Sequence, residues 1–90
     1  MRSIKQSLSR IVIPDSVTEI GESAFDYSND LKTIVFGKGA KVIPSSCCYY
    51  DRALTTVIIP EGVTTIKESA FWWCTALEEI TLPSTVNVIE

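Results

Sequence analysis

The chain repeats itself every 23 residues, and that periodicity restricts its fold more than any other feature. Leu8, Leu31, Leu54 and Leu77 are spaced by 23, and the same apolar residue types follow each of them at the same offsets. A unit this short cannot bury its own apolar face, so it must stack on its neighbours, with about three copies as the working minimum. Counted from the leucines, complete repeats run 8–30, 31–53 and 54–76, a partial repeat runs 77–90, and residues 1–7 align with the tail of a further copy. Residues 1–90 are therefore expected to form a single domain. One closed core would be marginal at this length. Stacking offers another route, since each added interface contributes separately.

Each repeat divides into the same parts. The first reads L-x-x-I-x-I: Leu8, Ile11, Ile13; Leu31, Ile34, Phe36; Leu54, Val57, Ile59; Leu77, Ile80, Leu82. Alternating apolar residues of β-branched type predict a strand. Pro14, Gly37, Pro60 and Pro83 follow, and neither residue type continues a strand easily, so the chain turns. The pairs Val17/Ile20, Ala40/Ile43, Val63/Ile66 and Val86/Ile89 predict a short second extended segment. Then comes a compact stretch, GESAFDYS, PSSCCYYD and KESAFWWC, with Ser23, Ser46 and Ser69 in register. Pro44 at its start suits a first helical turn, which predicts a turn of 3₁₀ or α-helix on the convex side. Parallel strands stacked about 4.8 Å apart would turn each column of the repeat into a ladder of like residues.

The pattern IxIPxxVxxIxxxAFxxC followed by Leu resembles the BspA-like leucine-rich repeats, over nearly the whole chain. Residues 54–83 fit best, and residues 8–36 differ mainly by Ser28 at the Cys position. The middle repeat departs further, with Gly37 for Pro, Ala40 for Val, Pro44 for Gly and Cys47-Cys48 for Ala-Phe. The resemblance implies a curved parallel solenoid, usually part of longer surface or secreted proteins that bind host proteins or other cells. It carries over no catalytic residues, and it implies an extracellular or cell-surface location that the chain itself does not encode.

Chemistry is restricted by what the chain lacks. It contains no histidine, so Ser-His-Asp and Cys-His arrangements are impossible, and its 11 carboxylates form no recognisable paired motif. An enzyme is not expected, nor a cofactor. Gly37-Lys38-Gly39 resembles a phosphate loop only superficially, because GxGxxG would need Gly at 42, which is Val42. Cys47, Cys48 and Cys74 have no CxxC spacing, and two are adjacent, which argues against zinc. They are expected in the interior as inert thiols. A net charge of -3 provides no field to hold nucleic acid. No apolar run approaches the ~20 residues of a membrane helix, and MRSIKQSLSR lacks the apolar centre of a signal peptide. The chain stops in mid-repeat at Glu90, which reads as a piece of a longer protein.

Two surfaces are candidates for binding. Tyr49, Tyr50, Trp72 and Trp73, with Tyr27 beside them, fill two columns that usually hold polar residues in the resembled pattern. Stacking should bring Trp73 next to Tyr50 and Trp72 next to Tyr49 in a convex rim of the kind that anchors contacts. Alternatively, one ring of each pair folds over the interior to compensate for the small Cys48. The second surface is the concave face of the strands: Arg10 and Val12, Thr33 and Val35, Thr56 and Ile58, Glu79 and Thr81. Its β-branched ladder could bind, or could simply reflect strand preference.

The functional expectation is a non-enzymatic protein-binding or adhesion module. The alternatives are a structural or self-assembling segment whose only partner is another copy of itself, and a carbohydrate-binding rim. Self-assembly is favoured by charge, because residues 1–10 carry Arg2, Lys5 and Arg10 with no acid and residues 77–90 carry Glu78, Glu79 and Glu90 with no base. A head-to-tail homo-oligomer would join these ends.

Overall fold

The computed structural model describes residues 9–89. Leu8, Arg2, Lys5 and Glu90, which carry parts of the repeat frame and of the charge asymmetry, lie outside the described residues. Seven short strands follow one another: β1 (Arg10–Val12), β2 (Thr33–Val35), β3 (Val42–Ile43), β4 (Thr56–Ile58), β5 (Thr65–Ile66), β6 (Glu79–Thr81) and β7 (Val88–Ile89). They build two parallel sheets, one in the order β1-β2-β4-β6 and one in the order β3-β5-β7. Arg10, Ile11 and Val12 lie opposite Thr33, Ile34 and Val35, which in turn face Thr56, Val57 and Ile58. The chain is a repeat solenoid of parallel strands.

Alternation decides what faces inward. Ile34 and Val57, at the centres of β2 and β4, are fully buried, and Leu31, Leu54, Phe36, Ile59, Ile43, Val63 and Ile66 complete the interior. The same positions are less sealed where fewer neighbours cover them, with Ile11 half-buried and Ile80 exposed. Between these columns the backbone bonds from repeat to repeat. The Ser9 carbonyl accepts the N–H groups of both Lys32 and Thr33, the Lys32 carbonyl those of Thr55 and Thr56, and the Thr55 carbonyl those of Glu78 and Glu79. Gly37 and Gly39 have no room for a side chain, because a Cβ at either would collide with the carbonyl oxygens of Ile13 and Pro14 or of Asp15 and Val17. At 37 that close approach accompanies a Gly where the other repeats have Pro.

The helical turn expected on the convex side is not there: among the described residues no helix occurs. The compact stretches are series of tight turns, and six non-glycine residues adopt the left-handed conformation in them, Ser23, Tyr27, Ser46, Tyr50, Ser69 and Trp73, with φ between 55 and 64°. In a helix each N–H would bond within its own turn. Here the donors alternate. Ala24 and Asp26 bond back to Gly21 and Ser23 within the turn, while Ser23, Phe25 and Tyr27 donate across to the carbonyls of Ser45, Cys47 and Tyr49 in the next repeat. Interrepeat bonding and helix formation compete for the same donors, and the stack wins.

The second extended segment is also only partly realised. Residues 40–43, 63–66 and 86–89 contain β3, β5 and β7, but Val17–Ile20 of the first repeat is not a strand. Lys67 donates its N–H to the Ile43 carbonyl at 2.9 Å. At the matching position of the previous repeat stands Pro44, which has no N–H to give. The proline that suggested a helix start instead removes a rung.

Candidate functional site

The left-handed positions determine how the rim is built. Tyr27, Tyr50 and Trp73 occupy the second such position of their turns, so their side chains project from equivalent places on successive repeats. Tyr50 stacks on Tyr27 with ring centroids 5.3 Å apart and planes within 10°, and on Trp73 at 5.6 Å and 14°. The preceding residues form a second row, Tyr49 and Trp72, with centroids 5.8 Å apart and planes tilted by 52°. The rows touch, at 5.4 Å between Tyr49 and Tyr50 and 6.0 Å between Trp72 and Trp73. All three tyrosines and both tryptophans of the chain are thereby in one cluster. Trp72 is 56%, Tyr27 49% and Trp73 47% exposed.

A bulky residue in the left-handed region costs roughly 1–2 kcal/mol and glycine would avoid it. A stacked aromatic pair returns about 0.5–1.5 kcal/mol. Tyr50, stacked on both sides, can offset its strain; Tyr27 and Trp73, each with one parallel partner, offset less of it.

Tyr49 and Tyr50, which follow the small Cys48, are half-buried where Tyr27, Trp72 and Trp73 are exposed. The buried Phe36 ring meets Phe71 edge-on at 6.3 Å and 80°. Phe36 sits in the strand column and reaches toward the turn column in which Cys48 replaces a phenylalanine.

The strand face holds its candidates where alternation placed them. Val12 is 54% and Ile58 38% exposed, Arg10, Glu79 and Thr81 are exposed, and Thr33, Val35 and Thr56 are half-buried. Register aligns Arg10, Thr33, Thr56 and Glu79 in one column and Val12, Val35, Ile58 and Thr81 in the other. The face is a β-branched ridge with a cation at one end and a carboxylate at the other. The rim stands on the turn side, away from these strands.

The thiols and one acid line the interior beneath the rim. Cys47 and Cys48 are fully buried, and Cys74 is half-buried. The Cys48 thiol is pushed up by its hydrogen bond with Cys47, by burial, and by the nearby Cys47, Asp51 and Cys74. Burial pushes Cys74 up to about 11, against a backbone hydrogen bond from Asp51 that lowers it. Its S–H donates to the Cys48 carbonyl at 3.0 Å. Such thiols stay protonated near neutrality and are poor nucleophiles. Asp51 is fully buried at the position that holds Ser28 and Cys74 in the neighbouring repeats, and its Oδ1 accepts the Ser28 N–H at 2.6 Å. Sequence reasoning passed over Asp51. Its offset, shared with the Cys position, was the available signal. Among the described residues no group of three or more Cys, Asp or Glu is placed to hold a metal ion, and no helix is long and apolar enough to cross a membrane.

Comparison with known families agrees with this geometry. The model of the BspA type leucine rich repeat region (6 copies) matches residues 3–90, and the chain belongs to that family. No curated protein and no solved structure matches the chain. The family describes a repeat scaffold of the protein-interaction kind, so function has to be argued from the surfaces.

Proposed function

We propose that the chain is a non-enzymatic protein-binding module of adhesion type that uses the aromatic rim, in the surface or secreted setting the family resemblance implies. The observation that carries this reading is the gathering of every Tyr and Trp into one cluster, in which Tyr27, Trp72 and Trp73 are exposed and Tyr27, Tyr50 and Trp73 stand on left-handed backbone. Strained conformations that persist in a fold point toward function, and large amphipathic rings are typical anchors of interfaces. The ridge of Val12, Val35 and Ile58 is a second contact face with less to distinguish it from ordinary strand preference. The frame of repeats 8–30, 31–53, 54–76 and 77–90 within one domain, with its 23-residue period, is part of the same proposal.

Two other readings receive less support. A sugar platform needs several open ring faces in a row, whereas the parallel stack covers both faces of Tyr50 and one face each of Tyr27 and Trp73, and only Trp72 lacks a parallel ring partner. Self-assembly draws on Ile80, Leu82 and Ile89, exposed along the outer edge of the two sheets. A pull-down from surface extracts, run beside a glycan array, separates the three. Trp72→Ala/Trp73→Ala should lose protein capture that Val35→Glu/Ile58→Glu retains. Capture unchanged in the tryptophan double variant would remove the rim, glycan binding would restore the sugar reading, and capture of the chain only by itself would favour assembly.

A further inference from the structure

Repeats two and three are joined along the second sheet, where the Lys41 carbonyl accepts the N–H groups of Thr64 and Thr65 and the Ile43 carbonyl accepts that of Lys67. One repeat earlier the matching acceptors are the Thr18 and Ile20 carbonyls, and the matching donors are the Lys41 and Val42 N–H groups, with Pro44 in place of the third. Among the described residues no backbone hydrogen bond joins these groups. An open groove of about 630 Å³ parts them. One wall of it offers acceptors, the Thr18 and Ile20 carbonyls with the exposed Glu19 carboxylate, and the other offers donors, the Lys41 and Val42 N–H groups with the exposed Lys41 ammonium. The two side chains form no ion pair among the described residues.

The groove is short. At one end Gly39 lies against the carbonyls of Asp15 and Val17, and at the other Ser23 donates its N–H to the Ser45 carbonyl at 3.3 Å. Between these pins about three residues stand open, a length of roughly 10 Å. An added strand would need walls two strand spacings apart, about 9.6 Å, and the pinned ends forbid that. A single side chain can enter from the surface, because Thr18, Glu19, Lys41 and Val42 are exposed at the mouth.

We infer that this groove takes a carboxamide, the side chain of a glutamine or asparagine on a partner segment, whose carbonyl accepts the Val42 N–H and whose NH₂ donates to the Ile20 carbonyl. A carboxamide carries an acceptor and two donors on one flat group, the pairing that a peptide unit offers. It therefore stands in for the strand contact that Pro44 prevents. A carboxylate would have no hydrogen to give to Ile20 and would face Glu19, whereas an ammonium would leave the Val42 N–H without an acceptor and would face Lys41. The site is separate from the aromatic rim, so either reading can fail without the other.

The test uses four capped pentapeptides that differ only in a central glutamine, glutamate, lysine or methionine, titrated into the full chain while its backbone amide and indole N–H resonances are followed. The glutamine peptide should move the Val42 amide and bind roughly two- to tenfold more tightly than the methionine peptide, whose side chain has the same length without the hydrogen bonds. Glutamate and lysine should each be weaker than glutamine, since each suits one wall and is repelled by the other. Pro44→Ala gives the Ile20 carbonyl a donor from the chain itself and should remove the preference for glutamine. Thr18→Trp, which fills the mouth from an exposed position, should remove it even where the seam of Pro44→Ala stays open. Equal binding of the methionine and glutamine peptides overturns the inference. A preference that survives Thr18→Trp, or survives Pro44→Ala with the new amide protected, overturns it too. Shifts confined to Trp72 and Trp73 overturn it while supporting the rim, and no shift with any of the four peptides means that the groove holds only water.

Discussion

The seam between the first and second repeats and the seam between the second and third are built from the same columns, yet the second sheet closes only one of them. At the later seam β3 pairs with β5, the Lys41 carbonyl accepts the N–H groups of Thr64 and Thr65, and Lys67 donates to Ile43. At the earlier seam no backbone hydrogen bond joins 18–20 to 41–43. An open groove of about 630 Å³ lies there instead, lined by Thr18, Glu19, Ile20, Gly39, Lys41, Val42 and Pro44. The two seams stay alike elsewhere, since β1–β2 pairs as β2–β4 does. One residue without an N–H, at position 44, has changed an interface while leaving its own repeat folded. In a stack whose stability is a sum over neighbours, a substitution is felt at the junction rather than within the unit.

The largest expected effect tests whether that junction differs energetically. Ile66→Ala removes a buried side chain from the closed seam and should cost about 2–5 kcal/mol in urea unfolding. Ile20→Ala, half-buried beside the groove, should cost clearly less. Equal costs would break the comparison.

A second test probes how tightly the closed seam is filled. Phe36 already meets Phe71 near the position Cys48 vacates, so Cys48→Phe should overpack it and destabilise by about 1–3 kcal/mol. A higher melting temperature for Cys48→Phe would mean that the closed seam contains a void, and the contrast would weaken.

Restoring a donor is expected to do less to stability. Pro44→Ala supplies the missing N–H, worth about 0.5–1.5 kcal/mol, but the freer unfolded chain takes back about 0.4–1 kcal/mol. Hydrogen exchange is therefore the better readout. The Val42 amide should become slower in Pro44→Ala and the new amide at position 44, donating to the Ile20 carbonyl, should be protected; unchanged Val42 exchange with an unprotected new amide would show that proline is not what holds the seam open.

The smallest effect is one of pH. Cys74 links the third repeat to the second through the Cys48 carbonyl, and its thiol titrates at about 11 rather than the ordinary 9.0. The folded state keeps this proton while the unfolded chain loses it, so the contribution is intact below pH 9 and fades between about pH 9 and 11. The melting temperature should fall over that interval less steeply in Cys74→Ala than in the parent. Identical slopes would remove Cys74 from the account of the closed seam.

The interior columns were legible in the sequence because period and alternation together specify both neighbour and face. The spacing alone places Ile34 and Val57 inside and Tyr50 beside Trp73. The turns were not legible in the same way. Ser23 and Tyr27 carry no mark of left-handed backbone, since glycine, the usual signal, is absent there. Pro44 was ambiguous on its own, because the residue type that starts a helix also deletes a sheet rung, and only the competition for donors decides between them. At the rim, the aromatic rows followed from spacing.

The left-handed backbone at Tyr27, Tyr50 and Trp73 makes the rim a graduated scale. Each repeat contributes one ring to that row, at intervals of 5.3 and 5.6 Å. On the rim reading proposed above, copy number sets valency, and a partner with several evenly spaced side chains would gain avidity in steps as repeats are added.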